Sequence, residues 1–502
     1  MAKRNKFLFP LFRKYFREVE KFKKEPFKVQ EVLFDYLLKK GSKTEWGKKY
    51  NYRNISSVKE FKNRVPISSY SDLDPYFLRL LKGENYLLWP EKIKFFAKSS
   101  GTTSSKSKFI PVSSSALKDC HYLGGKNLFA SYFNQVKDSN VFKGQNFALS
   151  GSRQNEEIAR NKYIADVSVI IIKNLPWWAK LRRSPKFSLA SMSNWEEKIP
   201  KIAETISKQN ITSLSGVPSW NLLLLKEVLK VSKKDNISEA WPNLELFVHG
   251  GVNFSPYRQQ FKELISSANM HYLEVYNASE GFFAFQDDLN REDMLLSLNN
   301  GIFYEFMPME ELDKDKPRTL SLLEVELNKN YALVISTNAG LWRYLIGDTV
   351  KFTSLKPFRI IFSGRTKSFI NAFGEELIED NANKAIDYAS QKTGAVIKDY
   401  TVAPVYISSN SSGRHQWLIE FSKLPKSVEE FTGLLDKKLK SLNSDYEAKR
   451  YRDMTLALPE IIVARQGLFY KWLKNNNKLG GQHKVPRLAN DRKIIEKILA
   501  LN

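Results

Sequence analysis

Near the start of the chain, apolar residues recur at helical spacing in VQEVLFDYLL and again in SVKEFKNRV after Ser57. This pattern predicts a helical layer from about Phe7 to Leu81. From Lys94 to about Phe362 short apolar runs (NFALSG, SLSGV, LELFVHGG, YLEVYN, SLLEVEL, YALVIST) read as strands. They alternate with amphipathic stretches such as PSWNLLLLKEVLKVSKK, which predicts an α/β domain carrying its sites on loops. After GRTKSFINAFGEEL the order changes to a helix (EDNANKAIDYASQKTG), then two strands (YTVAPVYIS, HQWLIEF). A second helix is opened by Ser427 with Glu430 three residues on, a capping-box spacing, and carries Phe431, Leu434, Leu435 and Leu439 on one face. With the strand LALPEIIVA this predicts a small α+β domain of about 135 residues. The expected division is a large α/β domain over residues 1–365, sheets flanked by helices, and a small one over 366–502.

Composition fits folded domains: 42% of the 502 residues are hydrophobic and 13% aromatic, with charge spread along the chain. The longest apolar stretches, such as VSVIII at Val167 to Ile172, fall far short of a bilayer span, so no membrane partner is expected. The N-terminal apolar run is broken by Pro10 and followed by Arg13 and Lys14, unlike a secretory leader. Cys120 is the only cysteine, which rules out an intramolecular disulfide and fits a cytoplasmic protein. Seventy-nine Lys and Arg against 54 Asp and Glu give a net charge of +25 and a surface that attracts anions. The lysines are interleaved with acids on helical segments rather than run together, so solvated helix faces account for them and nucleic acid is not the expected partner.

Three segments carry candidate chemistry. In FAKSSGTTSSKSKFIPVS, seven hydroxyl residues (Ser99, Ser100, Thr102, Thr103, Ser104, Ser105 and Ser107) surround Gly101, Lys106 and Lys108. Backbone N–H groups, hydroxyls and ammonium tips on one loop suit phosphate oxygens, although a polar surface loop has the same composition. It is not a Walker A loop, because IPVS reads as a strand where that motif requires a helix. In LEVYNASEGFFAFQ, Tyr276 offers an aromatic face to a purine, and beyond it lie Ser279 and Glu280, a carboxylate able to hold Mg2+. LWRYLIGDTVKF places Arg343, Tyr344 and Asp348 around a turn at Gly347; a fixed carboxylate there can accept both ribose hydroxyls, while the plain alternative is a turn aspartate. The five histidines show no metal-ligand spacing, so zinc is not expected. Cys120 and His121, being adjacent, should point in different directions, which makes Cys120 structural rather than nucleophilic; His249 reads as a strand-end core residue or one lying behind a pocket, and Trp177 and Trp178 as packing residues or as lining for a substrate pocket.

Together these segments resemble the adenylate-forming superfamily that includes acyl-CoA synthetases and luciferases, and within it they are most similar to the auxin-responsive Gretchen Hagen 3 family of acyl-acid amido synthetases. The resemblance spans nearly the whole chain through VPISSYSDLDPYFLRLLKGENYLLWP, SGVPSWN, HGGVNFSPYR, YNASEG, WRYLIGD and GGQHKVPR. It implies that Ser99, Ser100, Gly101, Thr102 and Thr103 cradle ATP phosphates, with Lys106 and Lys108 adding charge. Gly251, Val252 and Asn253 would line the adenine pocket beside Tyr276 and Ser279; Glu280 would approach Mg2+; Tyr344 and Asp348 would meet the ribose. Arg365 would sit at the pivot of a mobile C-terminal domain that brings Lys484 to the α-phosphate. One departure is Ser105, where the family loop usually carries glycine. The implied reaction activates a small carboxylic acid as an acyl-adenylate and transfers it to the amine of an amino acid or another amine. An acyl-CoA ligase of the phenylacetate type, a basic nucleic-acid-binding protein and a nucleotide-binding member without turnover are the alternatives. Apolar residues at Leu123 to Phe133 and Leu214 to Leu224 point to a hydrophobic or aromatic acid.

Overall fold

A computed structural model describes residues 8–99, 108–148, 162–190, 192, 195–251, 254–312, 314–366, 369–370, 372–373, 375, 377–406, 413–450, 456–476, 484–489 and 491–502. Contacts divide it into two compact units, one of Met1–Ile346 with Val350–Ile361 and one of Gly347–Thr349 with Phe362–Asn502.

The first unit opens with the helices Leu8–Lys24, Pro26–Gly41, Val58–Arg64 and Tyr70–Leu81. Their starts follow from capping chemistry. Pro26 sits at the first turn, Ser57 accepts the Glu60 N–H, and Ser69 with Asp72 forms a reciprocal capping box. Helix Pro26–Gly41 buries Phe34, Leu37 and Leu38, and the Gln30 amide donates to the Leu298 and Ile302 carbonyls, which ties the helix to the sheet.

The strands of this unit are β1 (Phe95–Ser99), β2 (Lys108–Val112), β3 (Gln145–Ala148), β4 (Tyr163–Ala165), β5 (Arg183–Ser184), β6 (Ile211–Gly216) and β7 (Leu246–Gly250). They continue as β8 (His271–Ala278), β9 (Gly281–Phe285), β10 (Met294–Leu296), β11 (Ile302–Pro308) and β12 (Asn330–Thr337), followed by β13 (Tyr344–Leu355) and β14 (Phe358–Arg365), of which Gly347–Thr349 and the residues from Phe362 on are counted with the second unit. Strands β2, β1 and β4 form a small sheet in that order, and an eleven-stranded sheet runs β11-β12-β13-β14-β10-β9-β8-β7-β6-β3-β5. Strands β5, β3, β6, β7 and β8 are parallel, so their carboxyl ends share one edge, where α/β proteins place ligands.

Two expected features are absent or different. SLLEVEL is not a strand: Glu324 accepts both the N–H and the hydroxyl of Ser321, which closes a turn, and only Leu327 makes an isolated bridge, to Phe352. WRYLIGD does not hold a turn between elements either, because Tyr344 to Leu355 is one continuous strand with Gly347 at φ +89°, a local distortion that glycine tolerates. Arg343, with φ +43°, is buried and forked onto Glu305, and it also donates to the Lys62 and Val65 carbonyls.

The second unit contains β15 (Phe369–Ile370), β16 (Leu377–Ile378), β17 (Val396–Val405), β18 (Arg414–Lys423) and β19 (Glu460–Ala464). Strand β18 pairs antiparallel with β17 and parallel with β19. Helices Glu379–Thr393 and Val428–Leu442 supply the core residues Ile386, Ala389, Phe431, Leu435 and Leu439. Ser427 caps the second helix as its spacing predicts, accepting the Glu430 N–H.

Candidate functional site

Of the proposed phosphate loop, Ser100, Gly101, Thr102, Thr103 and Lys106, together with Ser105, lie outside the described residues, and only the backbone of Ser99 is described. The frame of the loop is described. Ser99 and Lys108 are register partners at the end of the β1–β2 hairpin. The Lys108 ammonium lies 5.4 Å from the centroid of Tyr70, whose hydroxyl accepts the Phe109 N–H at 3.0 Å.

Gly251 follows β7 in an exposed bend at φ +83°, a conformation that favours glycine. Val252 and Asn253 lie outside the described residues. His249 is core, as expected: it stacks on Phe254 at 4.1 Å and its Nδ1 has no hydrogen-bond partner among the described residues. Burial pushes its imidazolium down to about 3, helped by the Arg258 guanidinium.

Strands β8 and β9 form a hairpin in which Ala278 pairs with Gly281, leaving Ser279 and Glu280 as a two-residue turn. Tyr276 is largely buried in β8, its ring 4.7 Å from that of Phe283; Ser279 is buried and Glu280 half-buried. The expectation that Cys120 and His121 diverge is only partly right. Each has its own partner, Phe282 N–H to Cys120 Sγ at 3.2 Å and His121 Nδ1 to Asn277 Oδ1 at 3.0 Å, but both partners belong to this one hairpin. Burial pushes the thiol up to about 12, so Cys120 is structural rather than nucleophilic.

Tyr344, expected to meet the ribose, is instead fully buried in the core at the start of β13, where it can only support the strand. Asp348 and Arg365 meet in an ion pair at 3.2 Å, Asp348 buried and Arg365 half-exposed. Lys484 belongs to the same unit. Burial, with the Arg365 and Arg487 guanidinium groups adding to it, lowers its ammonium to about 8, while Glu379 and Asp348 oppose the shift. The segment behind this lysine is clamped to β17: Val402 N–H donates to the Arg487 carbonyl, Ala489 N–H to Val402, and the Thr401 hydroxyl to Pro486. Arg487 also bonds Asp399 and stacks on Tyr400 at 4.5 Å.

Sequence reasoning missed Glu379, the first residue of helix Glu379–Thr393. Burial raises its carboxyl, against Arg487, Lys484 and Arg365. A Cβ on Gly364 would lie 3.3 Å from Glu379 Cβ, so strand and helix start are in close contact. The acid-rich stretch GEELIED before a helix was the available signal. Two other expectations need correction. Trp177 is 75% exposed rather than packed, because its short helix, Trp177–Leu181, turns it outward; the Trp178 side chain lies outside the described residues. Phe129 and Phe133, considered for an acyl pocket, are consumed in a cluster with Phe12 and Phe142, at 5.1–6.5 Å between rings.

The chain is similar to indole-3-acetic acid-amido synthetase GH3.3 of Arabidopsis thaliana, 24% identical with 93% of this chain and 90% of that protein covered. It is also similar to jasmonoyl–L-amino acid synthetase JAR4 of Nicotiana attenuata (22%; 94% and 92%) and to 4-substituted benzoates-glutamate ligase GH3.12 of Arabidopsis thaliana (22%; 93% and 94%). Among solved structures, the AtGH3.15 acyl acid amido synthetase in complex with 2,4-DB matches with TM-score 0.79 at 16% identity over 100% of this chain and 96% of that one. A 2-hydroxyisobutyryl-CoA ligase in its postadenylation state matches with TM-score 0.57 at 12% identity, over 94% and 90%. Both likenesses are of fold. Family models describe residues 15–270 as the GH3 family N-terminal domain, 295–365 as its central domain and 380–493 as its C-terminal domain, and with most of its length matched in order the chain belongs to the GH3 family.

Proposed function

We propose that this chain is an ATP-dependent acid–amino acid ligase that activates a carboxylic acid as an acyl-adenylate and conjugates it to the amine of an amino acid. The observation that carries the reading is Lys484, a half-buried ammonium lowered to about 8 yet still charged at neutral pH, beside Arg365, Asp348 and Glu379 in a GH3-family chain. In the first step a carboxylate oxygen attacks the α-phosphorus in line and the bond to pyrophosphate breaks. Lys484 offsets the charge gathered on the α-phosphate oxygens, a task of positioning and electrostatics. In the second step the amine nitrogen attacks the acyl carbon, the bond to the phosphate oxygen breaks with its electrons, AMP leaves and the nitrogen loses a proton.

The remaining roles are proposals of the same kind. Ser99 to Thr103 with Lys106 and Lys108 hold the triphosphate; Gly251, Val252, Asn253, Tyr276 and Ser279 frame the adenine. Tyr344 supports the strand from which Asp348, held by Arg365, accepts the ribose hydroxyls. Among the described residues no group of three or more His, Cys, Asp or Glu could hold a metal ion. Mg2+ in phosphate sites needs only one or two protein carboxylates, so Glu280 alone would suffice to hold it, and there it would neutralise phosphate charge. The named relatives act on indole-3-acetic acid, jasmonate and 4-substituted benzoates, which supports an apolar or aromatic acid for this chain. No helix among the described residues is long and apolar enough to cross a membrane, and a single cysteine, which can form no intramolecular disulfide, suits a cytoplasmic setting.

The test is ATP–pyrophosphate exchange across a panel of carboxylic acids, followed by mass spectrometry of products formed with mixed amino acids or with coenzyme A. Acid-dependent exchange and an amide product are expected. A thioester in place of the amide, or no exchange with any acid, overturns the reading.

A further inference from the structure

The Ser279–Glu280 turn is held from behind at two points. The Ser114–Ala116 turn leads into a π-helical turn, Leu117–His121, in which Tyr122 N–H reaches back to the Leu117 carbonyl, and helix Tyr122–Gln135 follows. Single wide turns of this kind are frequent at functional sites. Neighbouring residues on an ordinary helix point about 100° apart, yet here Cys120 and His121 are both buried and both bond the β8–β9 hairpin. Their partners flank the turn evenly: Asn277 lies two residues before Ser279, and Phe282 two residues after Glu280. A register irregularity between Tyr276 and Asn277 re-aims the Asn277 side chain, which meets His121. On the other side a Cβ on Gly281 would meet Ile302 Cδ1 at 2.6 Å and Cys120 Sγ at 3.3 Å, so β9 is pressed onto the same thiol. Asn300 secures the Phe282 carbonyl on the same strand.

We infer that Cys120 and His121 are positioning residues that fix the hairpin turn, and with it the direction in which the Glu280 carboxylate is presented to the metal–nucleotide complex. The inference rests on the reading of Glu280 as a Mg2+ ligand. Neither side chain needs to touch substrate. Their work is to hold Asn277 and the Phe282 N–H so that the two turn residues have one conformation, and a carboxylate fixed in place binds without a further loss of rotamer freedom.

ATP binding is titrated calorimetrically at several Mg2+ concentrations without an acid substrate, so that turnover contributes nothing. His121→Leu removes the donor to Asn277; His121→Asn keeps one near the Nδ1 position; Glu280→Gln runs in parallel. The Mg2+ concentration giving half of the full ATP affinity should rise about tenfold in His121→Leu, the scale of one lost buried hydrogen bond, and return to within about twofold of wild type in His121→Asn. ATP affinity at saturating Mg2+ should change little. If Glu280→Gln shifts the Mg2+ midpoint and His121→Leu does not, the positioning role falls while the Glu280 reading stands. If Glu280→Gln leaves the midpoint unchanged, the metal reading fails and the positioning role with it. Should His121→Leu not fold, Cys120→Ala against Cys120→Ser makes the same comparison.

Discussion

Lys484 makes a prediction that ties its surroundings to a rate. An ordinary lysine titrates near 10.4 and at pH 9 is about 96% charged. Burial and the nearby Arg365 bring this ammonium to about 8, so that at pH 9 only about one molecule in ten carries the charge. If the charge on the α-phosphate is offset by Lys484, kcat/KM for ATP in pyrophosphate exchange should hold a plateau below about pH 7 on the lysine's account. It should then fall as pH rises through 8, reaching roughly a tenth of the plateau at pH 9. Measuring kcat/KM matters because it reports the free enzyme, before bound phosphates restore the proton. Glu379 acts in the opposite sense, supporting the charge, so Glu379→Gln should move the alkaline limb to lower pH. Lys484→Ala should lower exchange about a hundredfold, as when one preorganised donor is lost, and flatten the limb. Lys484→Arg keeps its charge throughout and should lose the limb whatever its absolute rate. A wild-type profile flat from pH 7 to 9.5, or a limb that persists unmoved in Lys484→Arg, would refute the assignment.

Asp348→Ala should weaken ATP binding about ten- to a hundredfold by calorimetry, because the ribose loses a charged acceptor and Arg365 its partner; unchanged affinity would exclude the ribose role. Acid should destabilise the first unit through His121 and His249, which burial holds down at about 4 and about 3. Both folded values lie below the unfolded value near 6.5, so their contribution is complete above that pH and is lost as pH falls. Roughly 2 kcal/mol per histidine disappears by pH 5, and a melting temperature constant from pH 7 to 5 would contradict it. Arg343→Met should cost about 3–5 kcal/mol by stranding the buried Glu305, with much of the loss recovered in Arg343→Met/Glu305→Met; an equally unstable double variant would show that packing, not charge, is at stake.

Elements whose apolar period and punctuation agree were readable in the sequence. Ser57 and Ser427 cap the helices that follow, and YALVIST and HQWLIEF are buried strands. SLLEVEL has the composition of a strand but the Ser321–Glu324 contact closes it, and a side-chain hydrogen bond leaves no mark on apolar periodicity. Gly347 looked like the centre of a turn because glycine signals φ > 0; pairing with neighbouring strands kept the chain extended through it. The site segments could be located by their residue types. Tertiary encounters could not: Glu379 beside Gly364, or the Cys120–His121 pair bonded to the hairpin that carries Glu280, join residues far apart in sequence. The exposure of Trp177 was equally hidden, since a tryptophan after proline carries no sign of which way its short helix faces.

The chemistry of Cys120 has a practical consequence for following this protein in motion. With its thiol pushed up to about 12, only about one molecule in a hundred thousand presents a thiolate at pH 7, and the sulfur is buried against the Phe282 N–H. Maleimide dyes therefore have no native target in the folded chain. A cysteine introduced on an exposed helix of each unit would take up label alone, so donor and acceptor fluorophores can be attached without replacing Cys120 or disturbing the hairpin it supports. Distances between the two labels, recorded as ATP, acid and amine are added in turn, would then come from a protein whose own sulfur is intact.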